Sequence, residues 1–197
     1  MATTAHRKLT IPTFTVGMLD SLPHEGQRYE LLDGFLLVTP PPRPGHEAVV
    51  SRLHHAFTQA VVVTGAAYVA TRGAVYRDER TYLEPDVLVY PSRFSLDSEW
   101  SDVTEWWVVV EVLSPGSRVY DTTFKRHAYL QMGVESVWLV DLNERRVEIW
   151  ARGTEQPLVF HEGGTVRWAR RDGAALVIID VAELFRGTTR QNAWDES

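Results

Sequence analysis

Apolar residues follow three rhythms along this chain, and each predicts a different element. Between Pro44 and about Thr64, Val49, Val50, Leu53, Ala56, Phe57, Ala60 and Val61 recur at helical spacing, so one face of a long helix is apolar. Tyr29–Thr39 reads instead as two short strands around Asp33-Gly34, a strong two-residue hairpin signal. Pro40, Pro41, Pro42 and Pro44 stop the second of them. The third rhythm is a continuous run. Trp106–Leu113 is apolar except for Glu111, as in a central strand covered on both faces.

Further elements fit around these. Thr13 or Thr15 can cap a short helix running to about Leu22, and a second short helix is expected at Val181–Phe185. Tyr68–Ala70, Ala74–Arg77 and Asp86–Tyr90 read as strands, and 91–105 as a polar loop. After Ser114-Pro115-Gly116, Asp121 or Thr122 can cap a helix to about Met132, stopped by Gly133. Ser136–Leu142 and Arg146–Ala151 pair naturally around Asn143-Glu144, and strands follow at Pro157–Phe160, Thr165–Trp168 and Ala174–Ile179. The predicted class is α+β, with a central mixed β-sheet flanked by helices.

With 197 residues, no repeats and no long linker, one domain is expected over 12–187, with an arm at 1–11 and a tail at 188–197. The absence of Cys excludes disulfides, thiolate zinc sites and Cys nucleophiles. No run approaches the ~18 apolar residues needed to cross a bilayer, and MATTAHRKLT lacks a signal-peptide core. The expectation is a soluble cytoplasmic protein. A net charge of −6 argues against a general polyanion binder, but not against an enzyme touching nucleic acid over a small patch. The 20 basic residues divide into 18 Arg and two Lys, Lys8 and Lys125. That skew singles out Lys125, a compact mid-chain amine among planar guanidiniums.

Several standard motifs fail. There is no G-x-x-x-x-G-K-[ST], G-x-G-x-x-G or G-x-S-x-G. His46-Glu47 lacks the second His of a zinc-protease string, and adjacent His54-His55 point about 100° apart on a helix. Glu111 is the informative residue, because a carboxylate inside a buried strand has to be neutralised, paired or bound to a metal. Asp86 stands at the mouth of a second strand behind Pro85; taken alone, it would read as a turn or cap residue. Two strand carboxylates suit a hard divalent ion that retains several waters. Such an ion polarises a phosphoryl oxygen and acidifies a bound water. Lys125, early in the helix after the Glu111 strand, can supply an amine to stabilise charge in the transition state.

These residues lie within a wider resemblance. YELLDG (29–34), PRPGH (42–46), EPDVLVY (84–90), VVVEVLSPGS (108–117) and Tyr120–Trp150 are similar to the Uma-two family of endonucleases, in the PD-(D/E)xK restriction-endonuclease-like superfamily. The resemblance spans roughly 12–185. It implies a restriction-endonuclease-like core and Mg²⁺-dependent phosphodiester hydrolysis of DNA, with Mn²⁺ as an alternative ion. Asp86 corresponds to the motif aspartate and Glu111 to the second acid, the two expected metal ligands. The superfamily lysine usually lies two residues after that acid, where this chain has Leu113; the family pattern moves it to Lys125. Glu30 matches the family's N-terminal acid and His46 a recurring histidine. The expected catalytic set is therefore Asp86, Glu111, Lys125, Glu30 and His46. Asp121 reads as a helix cap rather than a ligand, Tyr129 as a neighbour of Lys125, and Gln131 as surface.

Two other readings compete. One is an inactive binding or assembly module on the same fold, suggested by the acidic charge and the seven Trp and seven Tyr. The other is a hydrolase of a small phosphorylated substrate. Duplex binding would require Arg72, Arg77, Arg80, Arg118 and Arg126 to gather on the face holding the acids. Two-strand cutting would suit a homodimer.

Overall fold

The computed structural model describes residues 12–23, 26–62, 64–173 and 175–189. The arm expected at 1–11 and residues 190–197 of the tail lie outside them. The elements are α1 (Val16–Leu19), β1 (Arg28–Leu32), β2 (Phe35–Thr39), α2 (Pro44–Phe57), β3 (Ala67–Thr71), β4 (Val75–Asp78), β5 (Thr81–Leu83), β6 (Val87–Pro91), β7 (Val108–Leu113), α3 (Arg126–Gln131), β8 (Ser136–Asp141), β9 (Arg146–Ala151), β10 (Leu158–His161), β11 (Thr165–Ala169), β12 (Leu176–Asp180) and α4 (Val181–Leu184).

A six-stranded sheet of order β10-β9-β8-β7-β6-β3 forms the centre. It is mixed: β7 and β8 run parallel, joined by the segment carrying α3, and its other pairs are antiparallel. Alternation divides its core in two. Val87, Val89, Val108, Val110, Val112, Trp138 and Val140 face α2, α4 and the β11–β12 hairpin. Leu88, Tyr90, Val109, Leu113, Val137 and Leu139 face the opposite way, toward Tyr129 of α3 and Val75 and Leu83 of β4 and β5. Both faces of β7 are therefore buried, which is why its sequence shows no period of two.

A second, antiparallel sheet has the order β2-β1-β5-β4. Its β1–β2 hairpin turns at Asp33 (φ 54°) and Gly34 (φ 85°), the left-handed pair that a two-residue turn requires. Strand β5 is a correction to the sequence reading. Only three residues long, it is too short for alternation to register, and pairing with β1 and β4 defines it. The long helix also differs: α2 ends at Phe57, and wider turns continue over Thr58–Val62. The helix after β7 likewise begins with wide turns over Tyr120–Lys125 before tightening into α3. Trp106, Trp107 and Trp138 are buried, so these aromatics serve the core rather than a surface.

Candidate active site

The β6–β7 register accounts for the meeting of the two acids. Val87 pairs with Val110 and Leu88 with Val109; one step further, Asp86 lies level with Glu111 on the same face. Cross-strand neighbours of this kind have Cβ atoms about 5 Å apart. The chain then leaves β7 through Ser114–Ser117 and returns over the strand end, bringing Asp121, Lys125 and Tyr129 above Glu111.

Lys125 Nζ lies 2.8 Å from Glu30 Oε2, 3.1 Å from Asp121 Oδ1 and 3.3 Å from Glu111 Oε1, and the side chain is only 3% exposed. Burial alone would strip its proton. The charges of Glu111, Glu30 and Asp121 outweigh that effect and raise its pKa well above the usual lysine value, so the amine stays an ammonium. Glu111 goes the other way: burial raises its pKa, and Asp121, Asp86 and Glu30 add repulsion that Lys125 only partly offsets. The Tyr129 hydroxyl donates to Glu111 Oε1 at 2.7 Å. Glu111 Oε2 has no hydrogen-bond or ion-pair partner among the described residues.

Asp86 is held firmly. Arg28 donates to its Oδ1 at 2.9 Å, and the Val112 N–H donates to its Oδ2 at 2.8 Å. His46 Nε2 lies 3.2 Å from the same Oδ2 and 3.0 Å from the Val112 carbonyl, which places the imidazole N–H on that nitrogen. Burial would raise the carboxyl's pKa; the hydrogen bond and charge of His46, with Arg28 and the Val112 amide, bring it well below the usual range. Asp86 in turn raises the pKa of His46 against the opposing effect of burial. The surroundings thus favour the anion at Asp86 and oppose it at Glu111.

Asp86, Glu111, Lys125 and His46 share the lining of one cavity of about 200 Å³, with Arg28, Arg43 and Asp121. Glu30 stands behind it, fully buried. Its Oε1 accepts from the Glu84 N–H at 2.9 Å, and its Oε2 faces Lys125. Three sequence expectations change. Asp121 is not a cap but a buried member of the charge cluster, reached because wide turns carry it inward beside Lys125. Its i,i+4 spacing to Lys125 was the available signal. Tyr129 bonds Glu111 rather than Lys125. Of the five arginines expected on the acid face, none lines this cavity, where Arg28 and Arg43 stand, and Arg72 alone lines the adjoining one that also holds Asp86. Arg77 pairs with Asp33 and Asp78, Arg118 with Asp141, and Arg126 stacks on Trp150.

A family model described as "Putative restriction endonuclease", Uma2, matches residues 17–173. The chain belongs to the Uma2 family. Its fold is that of a crystal structure described as a putative nuclease belonging to DUF820 from Anabaena variabilis, with TM-score 0.72 and 20% identity over 87% of this chain and 97% of that one. No protein of curated function matches. Among the described residues of this Uma2 protein, no helix is long and apolar enough to cross a membrane.

The donor set fits a hard divalent ion. Glu30, Asp86, Glu111 and Asp121 bring four carboxylates against the fixed cations Arg28 and Lys125, and Glu111 keeps one oxygen unpartnered at the cavity. Among the described residues no group of three or more His, Asp or Glu is arranged to hold a metal.

Proposed function

We propose that this protein is a divalent-metal-dependent endonuclease that hydrolyses phosphodiester bonds of DNA. The observation that carries the reading is the convergence of Asp86, Glu111 and Lys125, distant in sequence, on one cavity. Glu111 Oε2 and Asp86 would hold the ion, Mg²⁺ or Mn²⁺. When bound, it would polarise a phosphoryl oxygen and acidify water.

The protein's own groups then have separate tasks. Lys125, held as an ammonium by the carboxylates around it, offers positive charge to the oxygens of the pentacoordinate phosphorus. Glu30 and Asp121 hold that ammonium in place, and Tyr129 orients Glu111. Arg28 and His46 fix Asp86, and the Val112 amide locks it to the neighbouring strand. Water attacks phosphorus and loses a proton to solvent, the P–O bond to one sugar breaks, and the departing oxygen takes a proton back from solvent.

Purified protein is expected to nick plasmid DNA with Mg²⁺ or Mn²⁺, and Glu111→Ala to abolish the nicking. Homogeneous protein that cleaves neither DNA nor RNA, and takes up no metal, would favour an inactive module on this fold. Cleavage of small phosphate esters alone would favour the small-substrate hydrolase. Paired sites in a homodimer would suit two-strand cutting, and light scattering of the free protein tests that arrangement.

A further inference from the structure

A second cavity, of about 420 Å³, adjoins the first and shares Arg28, Pro40, Pro42 and Asp86 with it. Its remaining wall carries Ser51 and His54 of α2, Thr71 at the end of β3, and Arg72. The two spaces thus meet at Arg28 and Asp86, with Glu111 in the first and Arg72 in the second.

Arg72 is unusual in its backbone. Its φ is +57°, a left-handed conformation that a side chain with a Cβ adopts at a cost. The other described non-glycine residues with positive φ, Asp33 and Arg145, belong to the turns of the β1–β2 and β8–β9 hairpins, where turn geometry demands it. Arg72 lies outside any hairpin turn. It lies where the chain leaves the six-stranded sheet at β3 and enters the four-stranded sheet at β4. The next residue locks the corner: a Cβ on Gly73 would lie 2.8 Å from the Trp100 ring and 3.0 Å from Leu88. The backbone is thus held so that the guanidinium reaches the second cavity. Its one ion pair, to Glu84 Oε2, is long at 3.7 Å, and the side chain is 63% exposed. Such a pair is weak and yields readily to a better anion. Glu47, also on this wall, is 60% exposed and its charge is screened by water.

We propose that Arg72, with Ser51 and His54, forms a subsite for the phosphodiester next to the one being cut. The inference rests on the nuclease reading and adds where the strand runs. A guanidinium presents paired N–H donors that match two phosphate oxygens, and the seryl hydroxyl and an imidazole N–H add donors on the same cavity wall. The left-handed corner at Arg72 places this fork on the cavity wall.

The test is equilibrium binding of a fluorescent single-stranded DNA to the full chain in EDTA, with neutral methylphosphonates replacing phosphates one at a time. Wild type is expected to lose about tenfold in affinity at one position beside the cleavage point. Arg72→Ala should bind the unmodified strand about tenfold more weakly and be indifferent to that position. Arg72→Asn should behave like Arg72→Ala while melting with wild type, because Asn tolerates the left-handed backbone. Equal losses at every position, or no loss in Arg72→Ala, would overturn the subsite. Plasmid cleavage that depends on Glu111 without any Arg72 coupling would remove the subsite and keep the nuclease. Coupling retained in a protein that cleaves no nucleic acid with Mg²⁺ or Mn²⁺ would do the reverse. If no oligonucleotide binds, both fall.

Discussion

At the residue scale, the site is a balance of buried charges in which each member depends on the others. Lys125 faces three carboxylates. Its removal leaves anions uncompensated, which typically costs about 3–5 kcal/mol. Lys125→Ala is expected to lower urea stability by that amount, and adding Glu30→Gln to restore part of it. Glu111 behaves differently, because its pKa is raised by burial and by like charges. Glu111→Gln keeps an acceptor for Tyr129 and removes a strained charge. That variant should lose cleavage yet melt no lower than wild type. It should also lose stabilisation by Mg²⁺, which for an intact site is about 2.7 kcal/mol at a hundred times Kd. A scan of melting temperature against Mg²⁺ reads both effects.

At the element scale, two turns carry disproportionate weight. Gly34 closes the hairpin that presents Glu30, and its φ of +85° is one that L side chains rarely adopt. A Cβ there would also lie 3.0 Å from the Arg80 guanidinium. Gly34→Ala is expected to cost about 1–2 kcal/mol in denaturant unfolding, and to weaken cleavage through Glu30. The β8–β9 turn is tied by Asp141. Its Oδ1 accepts from the Asn143 and Glu144 amides, while Oδ2 lies 2.6 Å from Arg118. Burial would raise the pKa of Asp141, but Arg118 and the two amides lower it below the ordinary aspartate value. A depressed carboxyl contributes stability above its unfolded pKa and loses it as pH falls through the folded one. Asp141→Asn should therefore reduce stability at neutral pH and flatten its decline in acid below about pH 4. Urea midpoints across pH measure both.

At the scale of the whole molecule, charge limits how substrate can be held. The net charge is −6, and several arginines are engaged with acids or rings away from the cavities. Arg28, Arg43 and Arg72 border the two cavities. If these three supply the phosphate contacts, log affinity should fall with log salt at a slope of about −2 to −3, shallow for a DNA-binding protein. Titrations between low and moderate salt check this value. A much steeper slope would mean a larger basic footprint than these groups provide.

Sequence by itself determined most of the elements and singled out the acids. Local rules sufficed there: a helical period over α2, a two-residue turn at Asp33-Gly34, and a lone carboxylate inside an otherwise apolar strand are all visible within a few residues. Resemblance to the family added Glu30 and His46. Only the tertiary structure decided which groups meet. The level placement of Asp86 and Glu111 comes from the pairing of two strands across a long loop. The inward turn of Asp121 comes from wide helical turns that its own sequence does not announce. Strand β5 and the corner at Arg72 belong to the same class, since both arise where two sheets share one chain. Periodicity reports which face of an element is apolar; it carries no information about what that face will touch. Packing supplies that, and the site exists only through it.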